Sequence, residues 1–219
     1  MTLKRSLNIA LPKGRILDSV LPILLKIGIE PEKSFFDRND RKLKFKTNID
    51  NIDIIRVRSF DVVTFLAYGA AQLAFVGSDI LKEFNHSEVY SPLDLNIGKC
   101  KMVVAAEKDV VTNEDPRSWS HVRVATKYPN ITRKHFEARG VHAECIKLNG
   151  AMELAPSMGL CKRIVDLVET GSTLEANGLV EVEKICEVTT RLAVNSSYMK
   201  TNLKNIHPWI EKVEEAIHV

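Results

Sequence analysis

Short apolar runs that end in a polar, glycine-bearing cluster and then pass into a helical pattern recur along this chain, which restricts it to an α/β architecture. Leu7 to Leu11 gives way to Pro12-Lys13-Gly14-Arg15, after which Ile16, Leu17, Val20, Leu21, Leu24 and Ile27 fall at helical spacing. Ile52 to Val57 reads as a strand, and Asp61 opens an amphipathic helix through Tyr68. Leu73 to Val76 is a strand that hands over to Gly77-Ser78-Asp79 and a short helix. A second set follows. Met102 to Ala106 is a strand, Glu107 to His121 a polar loop or edge excursion, and Val122 to Ala125 a strand before Thr126-Lys127-Tyr128 and a helix from Pro129 or Asn130 to Arg139 that stops at Gly140. Cys145 to Leu148 and Ile164 to Val168 are further strands with a short helix, Met152 to Met158, between them. Val180 to Val194 is β-like, and Pro208, Trp209, Ile210, Val213 and Ile217 mark a closing amphipathic helix.

Two similar α/β sets without a Gly/Ser linker predict two lobes with a ligand cleft between them and crossovers near Leu95 to Cys100 and Leu179 to Glu187. Lobe I is expected over residues 1–97, completed by 181–219, and lobe II over 98–180. A single continuous sheet is the alternative. In open sheets of this kind ligands bind at the carboxyl edge of the strands, where loops converge and helix N-termini present unpaired N–H groups.

Composition narrows the function. The 219 residues are 45% hydrophobic and 27% charged, as in an ordinary cytosolic protein. No stretch approaches the roughly 20 apolar residues that cross a bilayer. Met1 to Leu11, cut short by Pro12, makes a poor secretory signal and reads as a buried first strand. The cysteines at 100, 145, 161 and 186 are too widely spaced for a metal knuckle and sit among apolar neighbours, so free buried thiols in a reducing compartment are expected. The six histidines form no zinc motif. The net charge of +3 is spread along the chain and favours neither nucleic acid nor membrane over a small anionic substrate.

The richest segment is Ile164 to Thr173. An apolar strand acquires Asp166 and Glu169, then turns through Thr170-Gly171-Ser172-Thr173 into Leu174-Glu175-Ala176. Gly171 permits close backbone approach, the hydroxyls of Thr170, Ser172 and Thr173 donate, and the next helix offers N–H groups, so a phosphate fits the turn. Carboxylates beside a phosphate would repel it unless they face ribose hydroxyls or a magnesium ion, so the combination points to a phosphorylated sugar. The competing explanation is that Ser172 only caps the helix, with Glu175 completing a capping box. No nucleotide P-loop is present.

Lys13 and Arg15 flank Gly14 at the end of the first strand, where two cations could hold a polyphosphate or simply form a solvated turn. Arg56 and Arg58 follow the Ile52 to Val57 strand, with alternation directing one of them to a cleft. Lys127 ends a strand before a helix, and Asn149-Gly150 before Glu153 is a turn that could touch ligand.

Together these segments resemble the ATP phosphoribosyltransferases, in their short form. The match runs through Ala10 to Arg15, Asp37 to Leu43 with Arg41 and Lys42, Val57-Arg58 with Asp61, Tyr68 to Ala71, and Val76-Gly77-Ser78-Asp79. It continues through Ala125 to Pro129, Asn149-Gly150 with Glu153 to Pro156, and Asp166 to Leu179. Gln72, Ala74 and Ser172 depart from the residues usual at those positions. The resemblance implies a two-lobed fold like that of type II periplasmic binding proteins, with ATP and 5-phosphoribosyl 1-diphosphate in the cleft, magnesium (Mg2+) as a requirement met mainly through substrate phosphates, and a cytoplasmic location.

It further implies catalytic roles for Lys13, Arg15, Arg58, Asp166 and Glu169. Substrate contacts are implied at Gly14, Arg41, Gly77, Asp79, Lys127, Glu153, Thr170, Gly171, Ser172 and Thr173. Short forms of the family work with a histidyl-tRNA-synthetase-like regulatory subunit in a hetero-octamer, and histidine acts through that partner. After Leu179 only a β-like stretch and one helix remain, so no separate effector domain is expected. A non-catalytic anion-binding protein of the same architecture is the rival reading.

Overall fold

The structure, a computed structural model, describes residues 6–37 and 39–218. Two compact units divide the chain, Met1–Gly98 with Thr189–Val219, and Lys99–Val188. In chain order the first unit contributes β1 (Leu7–Pro12), α1 (Arg15–Lys26), β2 (Lys44–Lys46), β3 (Ile52–Val57), α2 (Val62–Ala67), β4 (Leu73–Gly77), α3 (Ser78–Phe84) and β5 (Val89–Asp94). The second unit holds β6 (Cys100–Glu107), α4 (Lys108–Asn113), β7 (His121–Thr126), α5 (Pro129–Glu137), β8 (His142–Lys147), α6 (Leu154–Ser157), β9 (Arg163–Val168), α7 (Ser172–Ala176) and β10 (Leu179–Val188). The chain then returns to the first unit through β11 (Thr190–Asn195), α8 (Ser196–Thr201) and α9 (Leu203–Ile217).

Each unit has its own sheet, in place of the single continuous sheet that the pattern also allowed. The six-stranded sheet runs β2-β3-β1-β4-β11-β5 and the five-stranded sheet β10-β6-β9-β7-β8. Strand β1 is parallel to β3 and β4, and β7 is parallel to β8 and β9. Because successive side chains point to opposite faces, β1 feeds two layers. Ile9 and Leu11 join Val20 and Leu24 of α1 and Ile206, Ile210 and Val213 of α9 on one face. Ala10 joins Val62, Val63 and Leu66 of α2 on the other. Each of the buried Val, Leu and Ile side chains contributes about 1.5–3 kcal/mol relative to exposure.

The return crossing differs from the expected boundary at 180/181. Strand β10 continues its antiparallel ladder with β6 as far as Val188 opposite Cys100, so residues 181–188 stay with the second unit. The expected first strand appears from Leu7, while residues 1–5 lie outside the described residues. The closing helix starts at Leu203, ahead of Pro208. The hydrogen bond lost at that proline is set against burial of Ile206, Ile210 and Val213. Among the cysteines only Cys161 is buried; Cys100, Cys145 and Cys186 are half-buried free thiols.

Two strands, β2 and β5, escaped the pattern. In β2 only Phe45 is buried, and Lys44 and Lys46 approach the carboxylate of Asp53 on β3 at 3.0 and 2.9 Å, which compensates a carboxylate that is 1% exposed. Gln72, one of the departures from family usage, is buried at the start of β4 with its side chain satisfied. Its carbonyl accepts from the Asn8 N–H at 2.8 Å and its amide donates to the Gly69 carbonyl at 2.8 Å. Ala74, another departure, is fully buried opposite Ala10 and Ala193.

The segment 107–121 is more ordered than a polar loop. It forms α4 and a single 3-10 turn, Pro116–Ser118. Its Glu114 bonds Lys162 at 2.7 Å and also pairs with Arg163, whose guanidinium lies 3.9 Å over the Trp119 ring. Arg163 is 4% exposed, so its removal leaves Glu114 and the indole without their common partner. We predict that Arg163→Ala lowers the unfolding free energy by about 2–4 kcal/mol in urea titrations. A loss under about 0.5 kcal/mol would show that this cluster does not hold the segment.

Candidate functional site

In both units most of the predicted site residues follow the carboxyl ends of parallel strands. In the first, Pro12 lies opposite Val57, and the Lys13 N–H donates to the Val57 carbonyl at 3.1 Å. Lys13 and Arg58 therefore emerge from adjacent strands at the same level, both exposed. Gly14 adopts φ 96° and ψ −152°, a backbone that a side chain would strain, and its carbonyl accepts from Leu17 at 2.9 Å to start α1. Arg15 is the first helical residue and is exposed.

Alternation does not separate Arg56 from Arg58, because residues two apart on a strand point to the same face and the strand in any case ends at Val57. Packing does. Arg56 donates to the Phe35 carbonyl at 3.1 Å and lies 4.7 Å over the Phe45 ring, a structural cation. Gly77 ends β4 beside buried Asp79, and a Cβ on Gly77 would come within 2.1 Å of the Asp79 Oδ1. Glycine is required there by close approach, since its φ is an ordinary −68°. Arg41 is exposed ahead of β2; Arg38, inside the matched segment Asp37 to Leu43, lies outside the described residues.

In the second unit Thr126 of β7 lies opposite Lys147 of β8 and Val165 of β9, so three loops open on one edge. They carry Lys127, then Asn149-Gly150 with Glu153, then Glu169 to Thr173. Ala151 is held at φ 54°, an uncommon backbone for a residue with a side chain, directly before buried Met152. Glu153 is half-buried at the position preceding α6.

Asp166 is inside β9 rather than at its end, half-buried, with the Leu167 N–H donating to its Oδ1 at 2.8 Å. Burial pushes its pKa up to about 6; the Leu167 N–H and Lys127 act against this and the negative charge of Glu153 adds to it. Asp166, Lys127 and Glu153 thus form one electrostatic cluster.

The turn itself has Gly171 at φ 87° as the residue preceding α7. Ser172 is the first helical residue and no side chain caps the helix, so the capping box of Ser172 with Glu175 is absent and capping does not explain the sequence here. The Thr170 and Ser172 hydroxyls lie 3.0 Å apart, and Glu169, Thr170, Ser172 and Thr173 are exposed around the turn. Among the described residues no three His, Cys, Asp or Glu side chains converge as a metal cage, and no helix is long and apolar enough to cross a membrane.

Residues 58–215 match the family described as HisG: ATP phosphoribosyltransferase. The chain belongs to the ATP phosphoribosyltransferase family. It is 58% identical over 216 residues to the ATP phosphoribosyltransferase of Paramagnetospirillum magneticum, covering 99% of each chain. With the enzyme of Geobacter metallireducens it shares 48% identity over 96% of this chain and 98% of that one. Among solved structures, the ATP phosphoribosyl transferase (HisG:HisZ) complex from Thermotoga maritima superposes with a TM-score of 0.81 at 34% identity, covering 97% of this chain and 98% of that one. The Bordetella pertussis BvgS VFT2 domain matches at TM-score 0.60 and 13% identity, over 97% of this chain and 86% of that one, a likeness of fold. The family's two-lobed, periplasmic-binding-protein-like α/β fold is therefore the fold of this chain.

The residues missed by sequence reasoning are Thr126 and Thr132, fully buried hydroxyls that pin the Lys127 loop. Only a partner 39 residues away makes Thr126 legible.

The raised pKa of Asp166 fixes a pH dependence. Between the unfolded value of 3.8 and about 6 the folded protein holds the extra proton, so stability falls as pH rises through that window and the full cost is present above it. Asp166→Asn is predicted to raise the unfolding free energy at pH 7.5 by about 1–3 kcal/mol and to leave it unchanged below pH ~4. Denaturant titrations at several pH values check this. A stability loss at pH 7.5 would mean that the carboxylate is a net stabilising partner.

Proposed function

We propose that this chain carries out its family's reaction with the Glu169 to Thr173 turn as the seat of the donor's 5-phosphate. The reaction transfers the 5-phosphoribosyl group of 5-phosphoribosyl 1-diphosphate to N1 of ATP and releases diphosphate, the first step of histidine biosynthesis. The observation that carries the assignment is the left-handed Gly171 between two hydroxyl residues, five positions after half-buried Asp166 on the same strand and turn. Backbone N–H groups and hydroxyls suit a phosphate, and the adjacent carboxylates Asp166 and Glu169 suit the ribose hydroxyls as acceptors.

Adenine N1 already carries a lone pair, so no strong general base is needed. Catalysis then rests on placement of the two substrates and on neutralising charge on the departing diphosphate. Lys13, Arg15 and Arg58 supply positive charge for that diphosphate or for the phosphates of ATP, with Gly14, Arg41, Gly77, Asp79, Lys127 and Glu153 completing the substrate contacts. Magnesium, carried on the substrate phosphates, supplies further charge neutralisation.

The chain works in the cytoplasm with a regulatory subunit like the HisZ partner in the Thermotoga maritima complex, assembled as a hetero-octamer. Histidine is read by that subunit.

Ultraviolet absorbance of the phosphoribosylated adenine, formed from ATP, donor and magnesium, tests the chemistry. Asp166→Ala and Glu169→Ala are each expected to lower kcat/KM by about 100-fold or more with the fold retained, and Lys13→Ala or Arg15→Ala to weaken substrate affinity about tenfold. Parental kcat/KM in both carboxylate variants would remove them from the site. Binding without turnover by the parent, with the partner present, would favour an anion-binding protein. In the same assay, adding the HisZ-like subunit is expected to raise turnover severalfold, and millimolar histidine to inhibit only then. Inhibition of the isolated chain would place the effector site on these 219 residues.

A further inference from the structure

At the edge where the paired strands β7 and β9 hand over to loops carrying proposed site residues, one side chain adds a bond of its own. The Thr126 hydroxyl is fully buried at the end of β7 and has one proton to give. It donates to the Val165 carbonyl on β9 at 2.9 Å and accepts from the Tyr128 N–H at 2.9 Å. Val165 is the residue before Asp166, and Tyr128 the residue after Lys127. One hydroxyl therefore fixes the peptide next to each member of the Lys127–Asp166 pair. A second buried hydroxyl braces the same loop: Thr132 of α5 donates to the Tyr128 carbonyl at 2.7 Å, where the Thr132 N–H also donates at 3.0 Å. Pro129 at the start of α5 has no N–H to offer, and these side-chain bonds help to hold the turn.

We propose that Thr126 is a positioning residue for the phosphoribosyl transfer, setting where Lys127 stands relative to Asp166 and hence to the bound donor. The proposal rests on the assignment of Lys127 and Asp166 to the substrate site. A β-branched residue serves the strand end, but of the two β-branched shapes of this size, threonine and valine, only threonine has the hydroxyl. Without it the Tyr128 N–H and the Val165 carbonyl both lose the Thr126 bond, and the Lys127 loop shifts relative to β9.

The test is a double-mutant cycle in steady-state kinetics, run with the regulatory subunit present. Thr126→Val is expected to lower kcat/KM for 5-phosphoribosyl 1-diphosphate by tenfold or more, the size of effect that small misplacements at a site produce, while Thr126→Ser recovers most of it. In a Lys127→Ala background the further loss from Thr126→Val is expected to shrink to under about twofold, because the loop's side chain is already gone. A loss that stays the same in both backgrounds, or that Thr126→Ser fails to recover, overturns the proposal and leaves Thr126 a structural residue. If Lys127→Ala alone leaves kcat/KM unchanged, the assignment of Lys127 to the site is what has failed. Should Thr126→Val not fold, Thr132→Val carries the same cycle, since its hydroxyl holds the Tyr128 carbonyl of the same loop.

Discussion

Parallel pairing of β1 with β3 and of β7 with β9 is the constraint on which the site depends. Parallel neighbours must send their following loops to one edge, so register alone decides which loops meet. With Pro12 opposite Val57, Lys13 and Arg58 emerge together; with Thr126 opposite Val165, the Lys127 loop opens beside the strand of Asp166. A one-residue slip would turn Ile9, Leu11, Val124 and Ile164 out of their layers, so core packing holds this register in place.

The loops at these edges then need local devices, and different ones are used. Gly14 and Gly171 take left-handed or extended positive-φ conformations that start helices without a side-chain cap. Gly77 makes room for the Asp79 carboxylate. Thr126 and Thr132 use buried hydroxyls where the proline at the head of α5 removes a backbone donor. Asp166 is the opposite case, a carboxylate that burial disfavours and whose cost the rest of the core carries. A group held at such a cost beside an exposed, hydroxyl-rich turn is a candidate for function rather than for stability.

Much of this was legible in sequence because strands and helices with buried faces advertise their period. Ile52 to Val57, Leu73 to Val76 and Ile164 to Val168 lie within the strands found, and glycine-bearing polar clusters follow the last two. What was not legible depends on distant partners. The order of 107–121 comes from Arg163 reaching Glu114 across 49 residues, and the role of Arg56 from Phe35 and Phe45, which show no periodic pattern. The end of β10 is set by its ladder with β6, which hydrophobicity does not encode. Family resemblance supplied the reaction and partner; the residues alone reached a phosphorylated sugar and stopped there.

The Gly171 turn is proposed to seat the donor's 5-phosphate. A crystal structure with 5-phosphoribosyl 1-diphosphate bound tests it most directly. The 5-phosphate is expected within hydrogen-bond distance of the backbone N–H groups and hydroxyls of residues 170–173, with the Asp166 and Glu169 carboxylates facing the ribose. A 5-phosphate seated on Lys13 and Arg15, with the Gly171 turn empty or holding the diphosphate, would contradict it.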